Sequence, residues 1–219
     1  MKYLLILLTL TLSVGTQAQS KRIFKTFDFK GKAIKYAIQL PSDYDASITY
    51  PVAIGPSELK NDEDQSYYWK GVKNTFGWIL VDFPIYEGKK DEVAALLDHL
   101  RANYKVEGNK FHAICFSANS GRIFDLVMSL PDDFHSITGM AGNPGTTSTQ
   151  EFTKLNGVKV RFVVGDKDPY WMNASKDRHT RLLDAGVDSQ IEIIKNGQHV
   201  LEELVGEGTL SRMNKLRVK

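Results

Sequence analysis

From residue 52 to residue 194 short apolar runs alternate with stretches of helical period, and this alternation restricts the possible folds more than any other feature. The runs at 52–54, 78–83, 110–116, 136–141, 158–164 and 190–194 read as strands. Between them, 91–104 places Val93, Leu96, Leu97 and Leu100 on one helical face. Residues 118–130 and 173–185 read as helices stopped by Pro131 and Gly186. The run at 158–164 alternates around Lys159 and Arg161 and then turns wholly apolar, as a parallel strand covered on both faces does. Ahead of these units, 23–30 and 33–40 alternate apolar and polar residues about Gly31-Lys32, the pattern of an antiparallel hairpin. Residues 57–74 read as a polar, then aromatic loop entering a short helix, and 200–216 as mostly helical with Gly206 and Gly208 interrupting. A hairpin followed by repeated strand–helix units implies an α/β fold: a mostly parallel twisted sheet with helices on both faces.

The first eighteen residues stand apart. Lys2 is followed by an apolar run from Tyr3 to Val14 and then by Thr16-Gln17-Ala18, the order of a secretory signal peptide with its small residue at the cleavage position. Residues 1–18 are therefore expected to be removed, leaving a single domain over 19–219 and an exported protein, periplasmic or extracellular. No lipobox cysteine follows, so no stable membrane anchor is expected. With a formal charge of +2 on the whole chain, there is no electrostatic case for nucleic acid as a partner. The lone cysteine, Cys115, excludes an internal disulfide. The five histidines show neither zinc-finger nor HExxH spacing, so no metal or other cofactor is expected.

The chemistry is concentrated at Phe111-His112-Ala113-Ile114-Cys115-Phe116-Ser117-Ala118-Asn119-Ser120-Gly121. A strand passes into a helix through small residues, with a serine at the corner. Such a turn holds the serine in a strained backbone conformation, exposes its hydroxyl above the sheet, and sets the positive end of a helix behind it. The stretch resembles the G-F-S-A-G-G form of esterases and polyester depolymerases in the α/β-hydrolase superfamily. Here Cys115 replaces the first glycine and Asn119 the second. Gly165-Asp166-Lys167-Asp168-Pro169 resembles the superfamily's G-x-x-D-P after the penultimate strand, and Asn196-Gly197-Gln198-His199 resembles its G-x-H loop after the last. The order Ser, Asp, His matches, and the resemblance runs from about Phe27 to the end.

The resemblance implies a minimal α/β-hydrolase fold without a lid and assigns Ser117 as nucleophile, His199 as general base and acid, and Asp168 as the residue that orients the imidazole. It implies an oxyanion hole made by the backbone N–H of Ala118 and one from the loop after Ile54. Pro56 has no N–H, leaving Gly55 or Ser57, with Ser57 preferred. Trp171 and Asn143 are expected in the substrate cleft, and Met140 near it. Other roles remain open for several of these residues. Ser117 could be a helix cap, Asp166 competes with Asp168, and Ser120 lies a turn inside the helix. Cys115 stands where a strand residue is buried, whereas the cysteine nucleophile of dienelactone hydrolases stands at the corner. His112 reads as structural.

The expected partner is an ester, small or attached to a polymer, such as acetyl or feruloyl groups on plant polysaccharide. Two other readings fit the residues: a serine peptidase of prolyl oligopeptidase type, and a non-catalytic binding protein on a degenerate hydrolase fold.

Overall fold

A computed structural model describes residues 20–61 and 64–217. The expected signal peptide, 1–18, lies outside the described residues. The strands are β1 (Arg22–Phe29), β2 (Lys32–Gln39), β3 (Val52–Pro56), β4 (Ile79–Phe83), β5 (Phe111–Phe116), β6 (Phe134–Met140), β7 (Lys159–Gly165) and β8 (Ser189–Ile194). They form one sheet in the order β1-β2-β4-β3-β5-β6-β7-β8. The β1–β2 and β2–β4 pairs are antiparallel and every other pair is parallel. The mostly parallel architecture read from the sequence is the one observed.

The period-2 alternation of the strands divides the core in two. On β5, Phe111, Ala113 and Cys115 face one cluster and Ile114 the other. The first cluster packs the sheet against α1 (Lys90–Asn103), α2 (Ser120–Ser129) and α4 (Pro169–Asp184). Val93, Leu96, Leu97 and Leu100 of α1 all lie in it and are fully buried. Each such aliphatic side chain stabilises the fold by roughly 1.5–3 kcal/mol. The opposite face is covered by α5 (Glu207–Asn214), through Leu210 and Met213, together with Trp69 and Leu204 from short 3₁₀ turns. The four-residue α3 (Thr149–Phe152) bridges β6 and β7 in sequence.

Three elements differ from the sequence reading, each for a local reason. Helix α4 begins at Pro169 rather than at 173, because the Asp168 carboxylate caps it and proline is tolerated in the first turn. Among its described residues, the segment 57–74 forms only the 3₁₀ turn Tyr67–Trp69. Residues 200–216 are interrupted at Gly206, as read, where a φ of +77° separates the 3₁₀ turn Glu202–Leu204 from α5, whereas Gly208 lies inside α5 and does not interrupt it.

This topology chooses the position of a site. The chain places β4 on one side of β3 and then returns to place β5 on the other, so the crossovers diverge above the carboxyl ends of β3 and β5. Open parallel sheets bind ligands at such a divergence. Ser117 follows β5 directly, and the loop from Ser57 follows β3.

Candidate active site

Ser117 occupies the corner between β5 and the 3₁₀ turn Ser117–Asn119 that leads into α2. Its φ is +51°, in the left-handed region that an L side chain rarely adopts. Bonds at both ends of the residue hold it there. Its N–H donates to the Ala141 carbonyl at 3.1 Å, and its own carbonyl accepts from the Ser120 hydroxyl at 2.5 Å. The strain turns the Ser117 side chain away from the sheet, toward the loop after β8.

That loop carries His199. The Ser117 hydroxyl lies 2.8 Å from His199 Nε2, and His199 Nδ1 lies 2.6 Å from Asp168 Oδ2. An ionised carboxylate only accepts hydrogen bonds, so the imidazole carries its proton on Nδ1 and presents a lone pair from Nε2 to the serine. The Asp168 side chain is 11% exposed and that of His199 38%. The other oxygen of Asp168 accepts from the Trp171 N–H at 3.4 Å, the cap that starts α4. His199 packs against Trp171 at 5.7 Å between ring centroids and against Phe116 at 5.2 Å. The structure therefore brings Ser117, His199 and Asp168 into one contiguous chain of contacts and sets Trp171 beside them.

By sequence, no family model and no curated protein matches the chain. Its shape does match solved structures. A ferulic acid esterase from Anaeromyces mucronatus, in complex with ferulic acid, superposes with a TM-score of 0.67 at 16% identity, over 88% of this chain and 89% of that one. A CIB-like hydrolase from Thermoplasma acidophilum superposes with a TM-score of 0.59 at 15% identity, over 90% of this chain and 97% of that one. An isopeptidase with Astexin3-dC4 bound gives a TM-score of 0.65 at 12% identity over 90% of this chain. The chain has the α/β-hydrolase fold. It spans only 39% of the isopeptidase and 35% of a dipeptidyl aminopeptidase IV-like structure from Bacteroides ovatus.

Within this hydrolase fold the other sequence expectations fall as follows. Ala118 is exposed beside Ser117, and its N–H has no partner among the described residues. Ser57 does not serve as the second oxyanion donor, because its N–H is engaged with the Phe83 carbonyl at 3.1 Å and continues the β3–β4 ladder. Its hydroxyl is engaged as well, donating to the Asp64 carbonyl and accepting from the Leu59 N–H. The next N–H, that of Glu58, has no partner among the described residues, and Glu58 lines the same depression as Ser117 and Ala118. The sequence reading weighed only Gly55 and Ser57, because the end of β3 is not visible in residue types.

Asn143 is not a cleft residue. It is 6% exposed and braces the elbow from beneath: its N–H donates to Ser120 Oγ at 3.0 Å, and its Oδ1 accepts from Ser175 of α4 at 2.9 Å. Met140 is buried in the core. Asp166 makes no contact with His199; its N–H donates to the Ile194 carbonyl, and it is Asp168 that meets the ring. Ser120 is engaged with the Ser117 carbonyl and the Asn143 N–H.

The two departures from the glycine pattern have separate accounts. Cys115 is fully buried, with its sulfur 3.6 Å from the Thr138 carbonyl. Burial pushes its thiol well above the usual range, so the thiolate is suppressed. Asn119 has right-handed backbone angles, φ −77° and ψ −12°, so that position needs no glycine for conformational reasons.

One buried ion pair, absent from the sequence reading, shapes the rim. Asp82 of β4 meets Arg22 at 2.6 Å and also accepts from the Ser66 N–H and the Trp69 indole, both at 2.9 Å. Its burial pushes its carboxyl upward, against the pull of those partners. These bonds tie the segment that follows β3 down onto the sheet, next to the depression.

Proposed function

We propose that the protein is a serine hydrolase that transfers the acyl group of a carboxylic ester to water. The observation carrying the reading is the unbroken chain Ser117 Oγ, His199 Nε2, His199 Nδ1, Asp168 Oδ2, at 2.8 and 2.6 Å, with the serine held at positive φ. In this reading Ser117 Oγ bonds to the carbonyl carbon while its proton passes to His199 Nε2 and the carbonyl π pair moves to oxygen. Asp168 holds the ring and stabilises the imidazolium. The N–H groups of Ala118 and Glu58 receive the oxyanion. Collapse breaks the bond to the alkoxide, which takes the proton from His199. Water then repeats the sequence on the acyl-enzyme and returns the hydroxyl to Ser117.

Esters are favoured over amides because the neighbours matched along nearly their whole length are an esterase and a hydrolase, whereas the peptidase-like ones carry much additional chain. The depression at Ser117 is open, which suits short acyl groups, free or attached to a polymer. The proposal includes export, as the first eighteen residues suggest.

A fluorophosphonate probe tests the reading. Wild-type protein is expected to label, and Ser117→Ala is not. A panel of p-nitrophenyl esters is expected to be turned over fastest at short chain length. Labelling that survives in Ser117→Ala would dismiss this nucleophile. No labelling of folded wild-type protein would favour a binding role, and turnover of anilides at comparable rates would favour a peptidase.

A further inference from the structure

His199 meets aromatic rings from two other elements. Phe116 ends β5 and Trp171 lies in the first turn of α4, and their ring centroids are 5.2 and 5.7 Å from that of the imidazole. Their planes are inclined to it by only 33° and 30°, the offset arrangement that aromatic pairs prefer. Both rings are themselves fixed. Phe116 packs against Tyr67 at 6.0 Å and Tyr68 at 5.5 Å, and its N–H donates to Asn119 Oδ1 at 2.9 Å. Trp171 is fixed through Asp168. One oxygen of that carboxylate accepts from the Trp171 N–H at 3.4 Å and the other meets His199 Nδ1 at 2.6 Å. The contacts close a cycle: Asp168 to His199, His199 to Trp171, and Trp171 back to Asp168.

The imidazole needs such support. His199 belongs to neither a helix nor a strand and stands five residues beyond Ile194, the last of β8. Its side chain is 38% exposed, and among the described residues its only hydrogen-bond partners are Ser117 and Asp168. Those two bonds restrain Nδ1 and Nε2 and leave tilt about the line between them to packing. Nearly parallel rings against the imidazole resist that tilt. In the proposed reaction the imidazole also becomes a cation as it takes the Ser117 proton. A cation within about 6 Å of an aromatic centroid is attracted by the ring quadrupole, most strongly by an indole. Both rings lie inside that distance. Their contact with His199 is therefore stronger in the transition state than in the resting protein, which is the kind of contact that raises kcat.

We propose that Trp171, seconded by Phe116, is a positioning residue of the triad: its indole holds the imidazole in line between Ser117 and Asp168 and stabilises it as it becomes charged. The proposal rests on Ser117 being the nucleophile and names what keeps its base in place. It gives Trp171 a partner in the triad rather than in the substrate, so loss of the indole acts on turnover and not on substrate affinity.

Two measurements test it. The first is turnover of p-nitrophenyl acetate by wild type, Trp171→Leu and Trp171→Phe, with urea midpoints showing that each is folded. Trp171→Leu is expected to lower kcat about tenfold and to leave KM within about twofold, as a catalytic group loosened by a fraction of an ångström does. Trp171→Phe keeps a ring face and is expected to recover most of the loss. The second measurement needs no catalysis: the proton NMR signal of His199 Nδ1–H in Ser117→Ala. It is expected far downfield, from the short bond to Asp168, to be broadened or lost by exchange with water when Trp171→Leu is added, and to persist with Trp171→Phe. Full kcat in Trp171→Leu, a change in KM alone, equal losses in the Leu and Phe variants, or an Nδ1–H signal unmoved by the Leu substitution overturns the positioning role alone. Wild-type protein that neither hydrolyses the ester nor labels with fluorophosphonate overturns the nucleophile reading, and the Nδ1–H signal then still decides whether Trp171 holds the ring.

Discussion

Gly165, the last residue of β7, lies so close to Gly197 that a methyl group in place of its hydrogen would sit 2.1 Å from the Gly197 carbonyl oxygen. This approach joins the loop carrying Asp168 to the loop carrying His199. The Lys167 N–H donates to the same Gly197 carbonyl at 2.9 Å, and the Asp166 N–H to Ile194 at 3.1 Å. The 2.6 Å contact between Asp168 and His199 therefore depends on two backbones in van der Waals contact, not on the two side chains alone.

Replacing Gly165 with alanine forces those backbones apart. Overpacking of this kind destabilises by about 1–3 kcal/mol, and a displacement near 1 Å in a catalytic constellation lowers turnover by up to about 100-fold. Gly165→Ala is expected to lower both the urea midpoint and kcat on a short p-nitrophenyl ester. Full turnover in the variant would show that the loops do not need this contact.

Asp168 and Asp166 make a clean pair for assigning the acid. Asp168→Asn replaces the acceptor that fixes the imidazole tautomer and is expected to reduce kcat by about 10⁴-fold, the order seen when a triad carboxylate is converted to its amide. Asp166→Asn removes a carboxylate that does not touch His199 and is expected to leave kcat close to wild type. Equal losses in the two variants, with both proteins folded, would remove Asp168 from its role.

The fold was legible because burial on both sides of a strand and on one side of a helix leaves periodic marks in residue type. Val93, Leu96, Leu97 and Leu100 are one such mark, and the apolar end of β7 is another. The meeting of Ser117, Asp168 and His199 was legible because each sits at a strand end, where short loops leave little freedom. What was not legible depended on backbone hydrogen bonds. Nothing in the letters Gly-Pro-Ser-Glu says that β3 extends far enough to engage the Ser57 N–H and to leave that of Glu58. Asn143 reads as a cleft residue from its position after β6, yet Ser120 and Ser175 hold it beneath the elbow. Asn119 reads as a flaw in a glycine pattern, yet its Oδ1 accepts from the Phe116 N–H, which meets no partner on β3.

Cys115 offers a direct check on the identity of the nucleophile. Its thiol is fully buried and suppressed as a thiolate. Iodoacetamide is expected to leave native protein unmodified and active, and to alkylate one cysteine after denaturation. Cys115→Ala is expected to label with fluorophosphonate as wild type does. Rapid inactivation of native protein by iodoacetamide would contradict the burial and reopen a role for sulfur.

The last prediction concerns acid stability and rests on His112, the second residue of β5. The ring is 1% exposed, with Nδ1 2.8 Å from Ser136 Oγ, Nε2 without a partner among the described residues, and the Trp78 ring 4.9 Å away. Burial first, then the charges of His135, Lys159 and Arg217, depress its pKa from 6.5 to about 3. A depressed histidine stabilises the fold above the unfolded-state value. Below pH 6.5 the unfolded chain takes up a proton that the folded chain refuses until about pH 3, so stability falls through that window. Between pH 7 and pH 5 this one group accounts for a loss of about 2 kcal/mol, at 1.36 kcal/mol per unit. His112→Phe keeps a ring in the space beside Trp78 and removes the titration. Urea denaturation at the two pH values is expected to give a smaller fall in the variant than in wild type, while His99, His135 and His179 contribute alike to both. The same fall in both proteins would mean that His112 is protonated as readily inside the sheet as in the unfolded chain.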